Sequence, residues 1–313
     1  MNKKKLSLRF IIIFTLIIFI LIASCKQKDV SDQSSQETEA VGTRFSISNP
    51  PLKEDDPGTK LVYTLNPNAA FKATYELENL RNNRNYLLLC FLDYNQEPLI
   101  IDNKKNSLFK INVKPGQKKY WRFKTNTIKN GFHDFATLLI WDPEIHRLDK
   151  DYRIESDFNL IATNRANIIA DGSNPPAFSF ITAPSKQSQS KEPYDGIRIN
   201  KQANNLDYWL IEKALSGKKI NYYIHVASSE KQPVTYALIA LLDYKQIPLN
   251  KSKVLFAKVN PNQVVTFPAS FTAPMQKGTH ELMLIRIKNP YKRLTSDDDT
   301  LIEPSIRVPI VVK

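Results

Sequence analysis

The chain has 313 residues, 42% of them apolar and 24% charged, which is globular composition with room for two ordinary domains and excludes a disordered or collagenous chain. Only 8 glycines stand against 19 prolines, 13 tyrosines and 16 phenylalanines, a balance that suits strands and turns better than helices. The net charge of +13 points to anionic counter-surfaces, and two cysteines are too few for a disulfide framework.

The N-terminus places Lys3, Lys4, Lys5 and Arg9 before an uncharged stretch of 14 residues from Phe10 to Ala23. A membrane-spanning helix needs about 20 residues and an export-signal core about 7 to 15, so this segment reads as a signal peptide. It ends in Ile22-Ala23-Ser24-Cys25, an aliphatic residue and two small residues before cysteine, which resembles the lipobox of bacterial lipoproteins. That resemblance implies cleavage after residue 24, acylation of Cys25, and a lipid anchor on the extracytoplasmic face of a bacterial cell membrane. An uncleaved anchor or an ordinary secretory peptide is the alternative. Removing the four basic residues of the signal leaves +9 on the mature chain, a charge suited to anionic headgroups or envelope polymers. Nucleic acid is not expected outside the cytoplasm.

From 25 to 41 the chain is polar and reads as a flexible stalk behind the acylated cysteine. A second polar stretch, 184–194, separates two segments, 42–183 and 195–313, expected to be separate domains joined by this linker. The two segments are internally related. Leu92-Asp93-Tyr94-Asn95-Gln96-Glu97-Pro98-Leu99 returns as Leu242-Asp243-Tyr244-Lys245-Gln246-Ile247-Pro248-Leu249, Gly131-Phe132-His133-Asp134 as Gly278-Thr279-His280-Glu281, and Arg165 as Arg307. Eight such anchors keep their order while the offset stays between 142 and 154, which reads as a tandem duplication.

Each copy shows short strand-like runs between turn signals and no sustained helical period, predicting an antiparallel β-sandwich of about seven strands. Tyr86-to-Leu92 and Thr235-to-Leu242 are continuous apolar runs, the pattern of strands buried on both faces. The glycine-led segments at 131 and 278 are similar to the penultimate strand of immunoglobulin-like extracellular modules. The fold expected is therefore all-β, two tandem immunoglobulin-like sandwiches after a lipoprotein signal. Leu206 to Leu215 fits either a short helix or a strand.

The Asp-Tyr-x-Gln-x-Pro motif occurs at the same place in both copies, so its shared residues read as turn scaffold rather than a site. The pairs His133-Asp134 and His280-Glu281 lack the three or four convergent ligands a metal needs, and read as histidines at strand starts. Asp297, Asp298 and Asp299, like Asp149, Asp151 and Asp157, read as solvated loops. Calcium is the alternative there, without EF-hand spacing or its glycine. Cys90 reads as a small buried hydrophobe, matched by Ala240. The candidate ligand surface is one strand face of the first copy: Lys118, Tyr120, Arg122 and Lys124, alternating with Lys119, Trp121 and Phe123 on the other face and without a basic counterpart in the second copy. No nucleophile-elbow, zinc-protease or phosphate-loop motif and no paired-carboxylate constellation occurs, so no catalytic residue, metal or cofactor is assigned. The expected function is non-catalytic binding or scaffolding for a protein or an anionic envelope component. Alternatives are an accessory subunit of a membrane transporter or secretion complex, and a hydrolase with a loop-built site.

Overall fold

A computed structural model describes residues 43–48, 61–80, 83–146, 148, 161–171, 174–178, 186–189, 194–295 and 302–313. Cys25, the signal peptide, the stalk and the loop aspartates at 149, 151, 157 and 297–299 lie outside the described residues. The first half carries strands β1 (Thr43–Ser48), β2 (Val62–Leu65), β3 (Ala70–Asn79), β4 (Arg84–Leu92), β5 (Asn95–Gln96), β6 (Leu99–Ile101), β7 (Lys104–Asn106), β8 (Phe109–Val113), β9 (Gln117–Thr127), β10 (Gly131–Trp141) and β11 (Ile161–Ala170). The second carries β12 (Lys186–Gln189), β13 (Gly196–Asn200), β14 (Glu212–Ala214), β15 (Lys219–Ala227), β16 (Val234–Leu242), β17 (Lys245–Ile247), β18 (Leu255–Val259), β19 (Gln263–Thr272), β20 (Gly278–Lys288), β21 (Ile302–Pro304) and β22 (Val308–Val312).

Each half is an immunoglobulin-like sandwich of two sheets, and the sheet orders match copy for copy. The outer sheets run β1-β3-β9-β6-β7 and β13-β15-β19-β12; the inner sheets run β2-β11-β10-β4-β5 and β14-β22-β20-β16-β17. β8 pairs with β4 as β18 pairs with β16. Pairing is antiparallel except at one equivalent place in each copy, where β2 on β11 and β14 on β22 are parallel. The strands exceed the seven expected per copy because edge strands are broken by turns into short pieces.

Two local expectations change. The span 184–194, read as a linker, contributes β12, which pairs with β19 and covers the edge that the β6–β7 hairpin covers on β9 in the first copy. A polar sequence can do this because an edge strand is held by its backbone and needs no apolar face. The ambiguous segment, Leu206 to Leu215, is neither one helix nor one strand: irregular chain leads into the three-residue β14.

The apolar runs explain how the halves join. In β4, Leu88 and Cys90 face the core of the first sandwich, while Leu87, Leu89 and Phe91 face the other way. β16 repeats this, with Leu238 and Ala240 turned into its own core and Ala237, Ile239 and Leu241 turned out. The outward sets meet, with Leu138 and Ile140 of β10 and Met283, Ile285 and Ile287 of β20, in a third buried cluster shared by both inner sheets. Burying a large aliphatic side chain contributes about 1.5–3 kcal/mol, so this layer outweighs any single interdomain hydrogen bond. Residues 42–313 accordingly form one compact unit. Cys90 is a free, buried thiol whose pKa burial pushes well up.

Candidate functional site

The repeated motif builds the joint between the sandwiches. Asp93 and Tyr94 have φ of 50° and 64°, and Asp243 and Tyr244 of 49° and 63°, so each hairpin closes through two consecutive left-handed residues. Such turns usually hold Asn-Gly, because a side chain at positive φ costs about 1–2 kcal/mol per residue. Here the side chains offset that cost. Asp93 accepts the Asp134 N–H at 3.0 Å and the His133 Nδ1–H at 2.7 Å; Asp243 accepts the Glu281 N–H and the His280 Nδ1–H at the same two distances. The other ring nitrogen, Nε2, donates to the Lys129 carbonyl in one copy and the Gln276 carbonyl in the other, both at 2.9 Å.

An acceptor beside each nitrogen favours the protonated imidazole in both copies. The bond from Asp93 raises the His133 pKa against a smaller opposing effect of burial. At His280 burial is the largest single influence and lowers the pKa, but the bonds to Asp243 and Gln276 together outweigh it and leave the value raised.

The third motif position makes the clasp. The Gln96 N–H donates to Gln246 Oε1 at 2.7 Å while Gln96 Nε2 donates to the Tyr244 carbonyl at 2.9 Å. The reciprocal pair, Gln246 N–H to Gln96 Oε1 and Gln246 Nε2 to the Tyr94 carbonyl, has the same lengths, so the joint carries a local two-fold pseudo-symmetry. Tyr94, 1% exposed, donates to Asp134 Oδ2 at 2.5 Å and accepts the Tyr291 N–H of the other sandwich at 2.7 Å. Burial pushes its pKa well above the ordinary value, with Asp134 adding to the effect. Tyr244 donates to the Pro143 carbonyl at 2.8 Å and accepts from Arg307 Nη1 at 2.8 Å, and burial pushes its pKa to about 12. Arg165 binds Asp134 through Nε at 2.9 Å and Nη2 at 2.5 Å, and reaches across to the Lys288 and Asn289 carbonyls. Sequence reasoning placed these residues in the scaffold; it did not show that each copy's scaffold is completed by the other.

Beside this joint lies a cavity of about 920 Å³. One wall is Lys104, Lys105 and Asn106 of the β6–β7 hairpin, the floor is Leu87, Leu108, Phe109 and Pro143, and the far wall is Asp243 to Lys245 with Gln276 to His280 of the second sandwich. Lys104, Lys105, Lys110, Lys245 and Lys277 line it against two carboxylates, Glu144 and Asp243. Both carboxylates are already engaged, Glu144 with Lys110 at 2.8 Å and Asp243 with His280 at 2.7 Å, so the cleft presents net positive charge over a half-buried apolar floor. Such a surface suits an anion with apolar substituents. No sequence signal pointed here, because the lysines come from hairpins of both copies.

Lys118, Tyr120, Arg122 and Lys124, the strand face expected to bind anions, are exposed along β9, but alternation with less exposed residues holds only from Tyr120 on, because Lys119 is exposed as well. They do not form one site. Lys118 pairs with Glu76 at 2.6 Å and lies 5.6 Å from the Tyr120 ring centre, while Arg122 and Lys124 line a separate depression of about 440 Å³ with Lys72, Asp102 and Asn103. Among the described residues no three His, Cys, Asp or Glu side chains are grouped to hold a metal ion, and no helix is long and apolar enough to cross a membrane.

No family model matches the chain, and no curated protein matches it. Among solved structures it is similar to red sea bream transglutaminase, at 12% identity over 87% of this chain and 31% of that one, with a TM-score of 0.24. It is also similar to the C-terminal domain of the Streptococcus agalactiae AgI/II polypeptide BspA, at 7% identity over 86% and 99% of the two chains with a TM-score of 0.23. A third is the E. coli chaperone DraB, at 8% identity over 85% and 96% with a TM-score of 0.24. The chain thus spans about a third of the transglutaminase.

Proposed function

We propose that the chain is a lipoprotein, anchored through acylated Cys25 to the extracytoplasmic face of a bacterial membrane, whose paired sandwiches form a non-catalytic module that binds an anionic partner in the interdomain cleft. The lipobox-like Ile22-Ala23-Ser24-Cys25 after an uncharged stretch supports the anchor. The observation that carries the binding seat is the cleft itself, where Lys104, Lys105, Lys245 and Lys277 stand over apolar side chains while Glu144 is engaged by Lys110 and Asp243 by His280. Its walls belong to two domains locked by the glutamine clasp, so the seat is preformed and a ligand loses little affinity to ordering it.

The test compares binding of the full chain to purified anionic wall polymer and to poly-glutamate across a salt series. Combined Lys104→Glu, Lys105→Glu and Lys277→Glu substitutions are expected to weaken binding roughly tenfold and flatten its salt dependence, each exposed charge contributing under about 1 kcal/mol. Arg122→Glu with Lys124→Glu is expected to leave it unchanged; the opposite pattern moves the seat to the β9 depression. Cys25→Ser is expected to abolish lipid labelling and membrane retention, and retention with labelling intact would remove the anchor.

A further inference from the structure

The pseudo-symmetric joint has two flanks, and the chain itself fills one of them. Register places Phe256, opposite Ala237, where Lys110 stands opposite Leu87 in the first copy; likewise Pro290-Tyr291 answers to Pro143-Glu144. On the flank formed by Phe256 and Tyr291 the segment between the sandwiches delivers Phe178, whose ring centre lies 4.7 Å from that of Phe256 and 5.7 Å from that of Tyr291. Residues 174–177 before it are exposed while Phe178 is half-buried, so an extended, proline-containing stretch runs over the surface and inserts one aromatic side chain. On the other flank the same place is the open cleft, where Lys110 and Glu144 form an ion pair beside Leu108 and Phe109.

We infer that the open cleft receives an acidic segment of a partner protein that places an aromatic side chain against Leu108 and Phe109, beside the Lys110–Glu144 pair that replaces the aromatic seat of Phe178. This rests on the reading of the cleft as the binding seat and gives its ligand a class. Lys245 and Lys277 border the open flank where the filled flank has Asn95 and Asn130, while Lys129 stands on the filled flank where the open one has Gln276, so the positive lining of the cleft itself favours an acidic occupant. The floor argues for a peptide over a simple polyanion, which would leave Leu108 and Phe109 in water and gain nothing from them.

The experiment measures fluorescence anisotropy of the full chain with three labelled peptides: EDPPAFED, built on the chain's own Pro-Pro-Ala-Phe; EDPPASED, without the aromatic; and NQPPAFNQ, without the acids. The first is expected to bind, with Kd rising about tenfold or more on loss of the phenyl ring, since burying such a side chain supplies at least that factor. Loss of the acids is expected to raise Kd by a similar factor and to remove most of the salt dependence. Lys104→Glu with Lys105→Glu, on an exposed hairpin outside both cores, is expected to weaken only the acidic peptides, and Leu108→Asn only those with phenylalanine. Equal binding of the first two peptides overturns the insertion while leaving an anion-binding cleft. Binding indifferent to Lys104→Glu with Lys105→Glu removes the cleft as well, and no binding of EDPPAFED at about 1 mM overturns the inference.

Discussion

Replacing Asp134 by alanine leaves the Arg165 guanidinium buried with its charge uncompensated. Both side chains are 0% exposed. Arg165 loses its Nε and Nη2 bonds to the carboxylate and keeps only the Lys288 and Asn289 carbonyls of the other sandwich. Tyr94 loses the acceptor for its hydroxyl but still receives the Tyr291 N–H. Breaking a buried pair from one side costs about 3–5 kcal/mol, a large part of the roughly 5–15 kcal/mol that holds a folded protein together. Asp134→Asn keeps the shape and should cost less, about 1.5–3 kcal/mol, the worth of hydrogen bonds to a charged group. Arg165→Leu alone strands the carboxylate, whereas Asp134→Ala with Arg165→Leu removes both charges and should cost clearly less than the two single losses summed. Equilibrium urea unfolding followed by tryptophan fluorescence measures all four variants. An Asp134→Ala cost below about 1 kcal/mol, or strict additivity in the double variant, would refute the reasoning, because no uncompensated charge would then have been created. Amide exchange at Lys288 to Tyr291 should rise in Asp134→Ala if Arg165 joins the sandwiches as described.

Gln96→Ala and Gln246→Ala should each cost about 1–2 kcal/mol by urea unfolding for two interdomain hydrogen bonds apiece, Gln246→Ala somewhat more because its Nε2 also donates to the Lys253 carbonyl, and should be nearly additive because every bond of the clasp runs from a side chain to the opposite backbone. A double variant costing no more than either single one would show that the clasp opens as a unit. The histidines set a pH dependence. Their folded pKa values lie above the ordinary 6.5, so the stability they contribute is fully present below about pH 6.5 and is lost as pH rises through the folded values. Thermal melts should therefore fall on the alkaline side of that point, and His133→Gln with His280→Gln should flatten the fall; an unchanged slope would mean the imidazoles are not held charged.

The fold was largely legible because its main signals are local. Apolar runs, turn residues at strand-length intervals and a motif repeated in order are properties of short stretches, and they led to two sandwiches. The strands β4 and β16 also showed in sequence that both their faces were covered, but not by what: a run such as Tyr86 to Leu92 looks the same against a helix, a second sheet or another copy of itself. The role of Gln96 and Gln246 was invisible for a related reason. A glutamine in a turn is unremarkable until a second turn is brought against it. The cleft was least legible, since Lys104 and Lys277 are 173 positions apart and only the pairing of domains puts them on one cavity. β12 was missed because a strand bound by its backbone leaves no apolar period to read.

Agreement and difference between the copies separate two kinds of residue. Asp93 and Asp243, Tyr94 and Tyr244, Gln96 and Gln246, His133 and His280, Arg165 and Arg307 are shared, and each has its partners in a turn or across the joint. A pseudo-symmetric joint constrains both halves alike, because a change in one turn leaves an unmatched group in the other. The flanks carry no such constraint. There Lys110 faces Glu144 while Phe256 lies by Tyr291, and Lys245 and Lys277 answer to Asn95 and Asn130. Phe178 supplies the apolar contact on one flank, while the equivalent place on the other holds the Lys110–Glu144 ion pair, so the two flanks differ in character although the joint between them is symmetric.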